Sequence, residues 1–174
     1  KKKTSMKTNT KMILNHQDIV SKIKRIAYQV IERHYEVNEL LIAGIESKGY
    51  HLAKLLSEII KEAQPTKQIN LIQININKKQ PINSVSINSD LDQLELKDVI
   101  VVDDVLNSGK TLIYAVNHFL KYDINSISTA VLVDRNHKKY PIKADFKGLS
   151  LSTSMNNHVE VNLSQKENYF TTLS

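Results

Sequence analysis

The sequence has no cysteine and no tryptophan, and its 174 residues include only four glycines and three prolines. The lack of cysteine excludes a disulfide framework, a thiolate nucleophile and a zinc–thiolate site. The longest apolar runs are far shorter than the roughly 20 residues of a membrane-spanning helix, and no signal-peptide pattern precedes the first predicted helix. We therefore expect a cytoplasmic protein without a membrane partner.

An excess of charge of one sign is also missing outside the first eleven residues. The formal net charge is +6, but residues 1–11 hold five of the 24 basic residues and no acidic residue. Residues 12–174 therefore carry 19 basic and 18 acidic residues, a net charge of +1. We predict a disordered basic tail over residues 1–11 and a single folded domain over residues 12–174.

The most informative stretch begins at Val99. Residues 99–102 are four β-branched apolar residues in a row, which is typical of a strand covered on both faces in a parallel α/β sheet. Two acids follow directly, Asp103 and Asp104, and a run of mostly small, polar residues then opens a segment whose apolar residues recur at helical spacing. That run contains Asn107, Ser108, Gly109, Lys110 and Thr111.

This order of strand, acidic tip and helix N-terminus predicts a site for a ligand with two different ends. Unpaired N–H groups at the start of a helix bind anions, and Gly109 allows a phosphate to approach the backbone. Carboxylates would repel that anion, so Asp103 and Asp104 are expected to bind sugar hydroxyls or Mg²⁺. We infer a ribose 5-phosphate site. The alternatives are an ordinary strand–turn–helix or a Walker A loop, which would need glycine where Asp104 stands.

A second strand with a similar ending lies earlier in the chain. Residues 40–44 predict a buried strand, and residues 45–49 lead from it into a helix with one apolar face. The backbone N–H groups of a short loop at this point, with the Lys48 side chain, would bind a second anion, as a diphosphate-bearing substrate requires. The candidate residues are Glu46, Ser47, Lys48 and Gly49.

Three flanking segments complete this interpretation. Asn15 and Asp18 are placed to cap a first helix of about five turns, which ends near His34, and His34 is expected at the surface. Alternating apolar residues predict an edge strand over residues 69–76. The polar residues 77–97 fit either a mobile lid over a site or an ordinary surface hairpin.

From about Met12 to its last residue, the chain resembles the type I phosphoribosyltransferases. The strand, the two acids and residues 107–111 resemble the motif that binds phosphoribosyl pyrophosphate (PRPP), and residues 45–49 resemble the family's pyrophosphate loop. Another buried strand is predicted over residues 127–133. The stretch LVDRNHKKYPIKADFKG, which begins at Leu132, together with Ser-Thr-Ser at 152–154, resembles the hood of PyrR-type pyrimidine-operon regulators. Those regulators are also uracil phosphoribosyltransferases.

The resemblance implies an α/β fold with a central, mostly parallel sheet flanked by helices, a small hood and a flexible lid loop. The implied reaction transfers ribose 5-phosphate from PRPP to uracil, which gives UMP and releases pyrophosphate. In this reaction Asp103 and Asp104 would hold the ribose hydroxyls and, directly or through water, Mg²⁺. A homodimer is also implied.

The base is expected beside the segment that follows residue 133. Groups near Asp134, Arg135 and Asn136, with Ile142 as an apolar wall, are the candidates for contacting a uracil ring. The side chains of Asp134 and Arg135 equally fit a salt bridge that anchors the turn.

Several positions differ from the family pattern. Residues 75–77 (Asn-Ile-Asn) stand where PyrR-type proteins have an Arg-Asp pair, so that Lys78 or Lys79 would have to replace the arginine as a point charge. One alternative is therefore a relative that binds PRPP or a nucleotide with little turnover. Tyr28 replaces a histidine, and residues 149–150 (Leu-Ser) replace Lys-Asn, which weakens the case for sequence-specific RNA binding.

A nucleotide-responsive, RNA-binding regulator on the same fold is the other alternative. It requires a basic face, and strong, salt-dependent affinity for RNA would distinguish it from the enzyme. The residues that would form this face are Lys22, Lys24, Arg25, Lys138, Lys139 and Lys143.

Overall fold

The computed structural model describes residues 10–76, 85–87, 96–154 and 156–174. Most of the predicted lid, residues 77–97, lies outside these residues, and so does the predicted tail up to residue 9. Lys11 was assigned to that tail by the sequence analysis, but it begins the first strand. In the described part of the chain, no helix is both long enough and apolar enough to cross a membrane.

Strands and helices alternate through the middle of the chain, as the hydrophobic pattern predicts. The helices are α1 (His16–Arg33), α2 (Glu46–Ala63) and α3 (Lys110–Phe119). The strands are β1 (Lys11–Leu14), β2 (Glu39–Ile45), β3 (Gln68–Asn75), β4 (Ser86–Ile87), β5 (Asp98–Leu106), β6 (Ser126–Asp134), β7 (Phe146–Ser150), β8 (Val159–Asn162) and β9 (Phe170–Leu173).

Six of the strands form the central sheet, in the order β4-β3-β2-β5-β6-β7. All neighbours in it are parallel except β4, which pairs antiparallel with the end of β3. This arrangement confirms the predicted α/β fold with a mostly parallel central sheet. β3 was predicted as an edge strand, but the short β4 covers part of its outer side at Ile74 and Asn75.

The central sheet is buried on both faces because its strands carry apolar residues at successive positions. Ile42 and Ile100 point to the face that α1 and α2 cover, whereas Leu41 and Val101 point to the face that α3 covers. The three layers result from this alternation along β2 and β5.

A second, antiparallel sheet has the order β1-β9-β8. The sequence analysis expected the hood after residue 132, and this placement is wrong. That segment returns to the central sheet as β7, which is parallel to β6. The separate small sheet instead combines β1 with the two strands that follow residue 158, whose residues Val159 and Val161 pack on the α1–α2 side of the core. Pairing between such distant segments leaves no local sequence pattern.

Helix α1 begins and ends where it was predicted, with His34 as its C-cap, but the environment of His34 differs from the prediction. Asn15 and Asp18 form a capping box, with hydrogen bonds of 3.0 and 3.1 Å between each side chain and the other residue's backbone N–H. His34 was expected at the surface, but only 4% of it is exposed, and its Nδ1 lies 3.3 Å from Asp98 Oδ2. Lys67, also buried, donates from Nζ to the carbonyl oxygens of His34 and Val37, so a cation caps the end of this helix.

Candidate active site

The central sheet places the two predicted anion-binding motifs side by side. The chain leaves β2 through α2 toward β3 and leaves β5 through α3 toward β6, so the connections run in opposite directions from two neighbouring strands. The carboxyl ends of such neighbours form a crevice where open α/β sheets bind ligands. Gly44 of β2 pairs with Val102 of β5, directly before Asp103.

Asp103 and Asp104 lie at the tip of β5, where the apolar run ends. Asp103 is 6% exposed, and its Oδ1 accepts a hydrogen bond of 2.9 Å from the backbone N–H of Asp104. The Asp104 side chain is partly exposed toward the same opening. Two neighbouring carboxylates with different exposure therefore face one crevice.

The loop after β5 forms the start of α3, as the sequence predicts. Gly109 has φ +84°, a left-handed conformation that glycine adopts without strain, and it precedes the first residue of the helix. Ser108 Oγ accepts from the Lys110 N–H at 3.3 Å, and the Ser108 carbonyl accepts from the backbone of Lys139 and Tyr140 at 2.8 and 3.2 Å. Apart from the Lys110 N–H, the first N–H groups of α3 have no acceptors within the helix, so they can donate to an anion.

The predicted loop at residues 46–49 is not a loop, because α2 begins at Glu46 itself. Glu46 has φ +48°, which is rare outside glycine and common at functional sites. Gly49 has no room for a side chain: an added Cβ would lie 2.7 Å from the Val102 carbonyl oxygen and 3.3 Å from Asp103 Oδ1. The first turn of α2 is therefore pressed against the acidic tip of β5.

One cavity of about 410 Å³ joins both motifs. Gly109 and Lys110 line a smaller recess of about 40 Å³ that shares Asp103 and Ser108 with it. Most of the predicted PRPP-binding and pyrophosphate-binding residues thus surround one space. The residues that line the larger cavity are Ile45, Glu46, Ser47, Lys48, Gly49, Asp103, Asp104, Val105, Asn107, Ser108, Thr111, Arg135, His158 and Val159.

Three of the four candidates for base binding do not line that cavity. Asp134 is fully buried, and its carboxylate lies 3.3 Å from Lys147 Nζ and 3.7 Å from Lys138 Nζ. Asn136 is exposed in a left-handed turn with φ +58°. The Ile142 side chain packs against Gly109, since a Cβ added at Gly109 would lie only 2.7 Å from Ile142 Cγ2.

Arg135 is the base-binding candidate that does reach the cavity. It is 4% exposed, and its guanidinium group does not pair with Asp134, the partner considered in the sequence analysis. Its Nη1 donates to Asn107 Oδ1 at 3.1 Å, and Nε and Nη2 both donate to Thr153 Oγ1. Whether Arg135 contacts a base stays a prediction.

His158 and Val159, at the start of β8, line the cavity but were not among the site residues predicted from the sequence. The N–H and carbonyl groups of His158 form hydrogen bonds of 2.7 and 2.9 Å with the backbone of Ser174, which tie His158 to the end of the chain. Apolar and polar residues alternate over residues 159–163, which is typical of a strand, but this pattern does not indicate which site the strand faces.

The two carboxylates at the tip of β5 fit Mg²⁺ only as part of a site whose other ligands are water and substrate phosphates. No cluster of three or more metal-ligating side chains exists in the described ranges. Mg²⁺ typically binds one or two carboxylates and completes its six ligands with water and substrate phosphates. Asp103 and Asp104, next to two helix starts that are predicted to bind anions, provide this kind of incomplete oxygen ligand set.

The doubly wound sheet, with two acids and two helix starts at its switch point, places the chain among the α/β proteins that bind ligands at the carboxyl ends of their strands. The family model "Phosphoribosyl transferase domain" matches residues 9–166, and the chain belongs to this family.

The most similar curated proteins include PyrR proteins, which confirms the predicted PyrR-type resemblance. "Bifunctional protein PyrR" of Pediococcus pentosaceus is 34% identical over 162 residues, which cover 87% of this chain and 90% of that protein. The "Pyrimidine operon regulatory protein" of Lactococcus lactis is 31% identical, with coverages of 90% and 92%. A solved hypoxanthine phosphoribosyltransferase of Trypanosoma cruzi has the same fold, with a TM-score of 0.74, 16% identity and coverages of 92% and 95%.

Proposed function

We propose that this phosphoribosyltransferase moves ribose 5-phosphate from PRPP to N1 of uracil and forms UMP and pyrophosphate. The observation that carries the proposal is the single cavity that joins the acids at 103–104, the helix start at 107–111 and the first turn of α2. PRPP has a ribose, a 5-phosphate and a pyrophosphate. The two acids suit the ribose hydroxyls, the start of α3 suits the 5-phosphate, and the first turn of α2 suits the pyrophosphate. The preference for a pyrimidine is supported by the names of the relatives.

The proposed roles follow from the chemistry of each element. The N–H groups at the start of α3 bind the 5-phosphate, and the hydroxyls of Ser108 and Thr111 add neutral donors. Asp103 and Asp104 accept hydrogen bonds from the ribose hydroxyls. Lys48 and the first turn of α2 bind the pyrophosphate. The base takes the remaining side of the cavity, beside Val159.

In the reaction, the bond between ribose C1 and the pyrophosphate oxygen breaks, and a bond from uracil N1 to C1 forms with loss of the N1 proton. The ribose carries positive charge in the transition state, and the leaving pyrophosphate gains negative charge. Catalysis then consists mainly of positioning and of electrostatic stabilisation. Asp104 is the proposed partner of the ribosyl cation, because its carboxylate is the more exposed of the two toward the cavity.

Mg²⁺ is the proposed cofactor, held by Asp103 and Asp104 directly or through water. When bound, it would offset negative charge on the pyrophosphate. The chain's own residues bind and orient the two substrates.

The test measures pyrophosphate release from PRPP with Mg²⁺ and uracil, with hypoxanthine and with no base. We expect release with uracil, and Asp104→Asn is expected to lower kcat by about 10²-fold or more, the usual size for a lost electrostatic contact in an active site. Asp123→Asn, which removes an exposed carboxylate on the loop after α3, is the matched control and should keep full activity.

Release with hypoxanthine but not with uracil would reverse the proposed base preference. If the chain binds PRPP or UMP but releases pyrophosphate with none of the bases, it is a binding relative with little turnover. That outcome would contradict the proposed enzymatic activity and show that Lys78 and Lys79 do not replace the family's lid arginine.

A regulatory role is the second candidate, because one relative is named a pyrimidine operon regulatory protein. Five of the six residues proposed for the basic face are exposed, namely Lys24, Arg25, Lys138, Lys139 and Lys143. Of these, Arg25 already donates to the carbonyl oxygens of Lys147 and Gly148. RNA affinity that falls steeply with salt would support this role, and affinity equal to that of a neutral-surface protein would contradict it. The homodimer stays a prediction, to be measured by sedimentation.

A further inference from the structure

Arg135 joins two parts of the chain that are far apart in sequence. On one side, its Nη1 donates to Asn107 Oδ1 in the loop that starts α3. On the other side, Nε and Nη2 donate to Thr153 Oγ1 at 3.2 and 3.1 Å, and Nη2 also donates to the carbonyl oxygens of Ser154 and Asn157 at 3.2 and 2.7 Å. The guanidinium group therefore links the candidate phosphate loop to the segment between β7 and β8.

That segment, which we call the connecting segment, comprises residues 151–158 and leads to the two cavity residues at the start of β8. Its described residues form no helix or strand. Besides Arg135, it is held by His137, whose Nε2 contacts the Thr153 carbonyl oxygen, and by the Asn157 side chain, which accepts from the Ser154 N–H at 3.0 Å. Backbone hydrogen bonds hold the two ends of the segment, from the Leu151 N–H to the Asp134 carbonyl oxygen at 2.8 Å and between His158 and Ser174. Arg135 and His137 hold the residues between these ends.

The contacts of Arg135 differ from those of an ordinary buried arginine. Among the described residues, its side chain contacts only oxygen atoms of neutral groups. A buried cation without a carboxylate partner is costly, so each of these acceptors is needed to hold it. A planar group with five N–H donors in fixed directions can satisfy both sides at once, which a lysine cannot do.

We propose that Arg135 is a positioning residue that, together with the pairing of His158 with Ser174, fixes the connecting segment and the adjoining Val159 relative to the phosphate loop. This inference rests on the proposed function. A ligand that spans both sides of the cavity, such as UMP, depends on that fixed spacing. Ribose 5-phosphate, which lacks the base, depends only on the phosphate loop and on Asp103 and Asp104.

The test compares Arg135→Lys and Thr153→Val with the wild-type chain. Thr153 is not one of the described residues that line the cavity, so Thr153→Val weakens the link without changing a group that touches a ligand. Ser152→Ala, an exposed hydroxyl in the same segment, is the matched control. Calorimetry measures the affinity for UMP and for ribose 5-phosphate, and hydrogen exchange measures the protection of a peptide spanning residues 151–158.

We expect Arg135→Lys to weaken UMP binding about tenfold and Thr153→Val about fivefold, as for lost charged and neutral hydrogen bonds. Ribose 5-phosphate affinity should change less than about threefold, because it needs only one side of the link. Exchange over 151–158 should rise in both variants and stay unchanged in Ser152→Ala. In the Arg135→Lys background, Thr153→Val should add less than about twofold, because the two residues act through the same contact.

Two results would overturn the inference. Unchanged exchange in both variants would show that Arg135 does not hold the segment. If Arg135→Lys weakens UMP binding and Thr153→Val leaves it unchanged, Arg135 contacts the base directly. A wild-type chain that binds neither ligand would refute the proposed function instead, and the exchange measurement would still decide whether Arg135 holds the segment.

Discussion

The residue with the clearest pH dependence is His34, which lies away from the cavity at the amino ends of the strands. Burial lowers its pKa below the ordinary value of 6.5, and the hydrogen bond and charge of Asp98 offset only part of this effect. The positive charges of Arg33 and Lys67 lower the pKa further. Burial would raise the pKa of Asp98, but hydrogen bonds, including 2.6 Å from Ser126 Oγ and 2.7 Å from Asn125 Nδ2, hold it below its usual value.

We predict that the free energy of unfolding falls as the pH drops below about 6.5, the ordinary histidine value. In that range the unfolded chain binds a proton at His34 more readily than the folded chain does, so acid favours unfolding. His34→Gln should reduce the slope of the free energy of unfolding against pH by at most about 1.4 kcal/mol per pH unit. Urea unfolding between pH 5 and 8 measures this slope.

The exposed Gln29 on α1 supplies the control, because Gln29→Ala changes no titratable group and should leave the slope as in the wild-type chain. His118, whose pKa burial also lowers, contributes equally to all three proteins. Equal slopes for His34→Gln and the wild type would contradict this account of His34.

At the scale of elements, the site depends on how closely α2 approaches β5. Gly49→Ala would place a Cβ 2.7 Å from the Val102 carbonyl oxygen and 3.1 Å from the Asp103 Cα. Since neither backbone can yield without moving a whole element, we predict a loss of about 1–3 kcal/mol in the free energy of unfolding. Activity per folded molecule should fall by about 10²-fold, because Asp103 moves with the strand tip.

Gly148→Ala is a close steric match for Gly49→Ala. Its Cβ would lie 2.6 Å from the Leu132 carbonyl oxygen, but Gly148 is on β7, two strands away from β5. We expect a similar loss of stability with activity per folded molecule within about threefold of the wild type. Urea unfolding and initial rates measure the two effects separately, and equal activity losses in both variants would refute the role of the α2–β5 contact.

At the scale of the whole molecule, an ion pair connects the small second sheet to the candidate site. Lys48 Nζ, in the first turn of α2, lies 3.7 Å from Glu160 Oε1 on β8, and both side chains are about half exposed. Exposed pairs of this kind contribute about 0–1 kcal/mol to stability. The carboxylate of Glu160 nevertheless reduces the positive charge that Lys48 offers to an anion.

We predict that Glu160→Gln raises the affinity for inorganic pyrophosphate about fivefold at low ionic strength, with stability changed by less than about 1 kcal/mol. The gain should shrink as salt is added. Glu58→Gln makes the same change of charge about 15 Å further along α2, where the Coulomb effect on an anion at Lys48 is several-fold weaker, and should raise the affinity much less. Equal pyrophosphate affinities of both variants would contradict a specific effect of Glu160.

The sequence by itself determined the elements that form from local patterns. The β-branched run at residues 99–102, the Asn15 cap and the turn at Gly109 act over a few residues, so the strand, the helix start and the acidic tip after β5 were predictable. The candidate phosphate motif at residues 103–111 could be proposed from the sequence because all of its parts follow one another in the chain.

Only the tertiary structure decided what lies opposite that motif. The pairing of β2 with β5 brings Gly49 against Asp103, and the joining of β1 with β9 and β8 places Val159 at the cavity. The burial of His34 and the contacts of Arg135 also join segments far apart in the chain. Such contacts are selected by packing and by the pairing of distant polar groups, which no short stretch of sequence specifies.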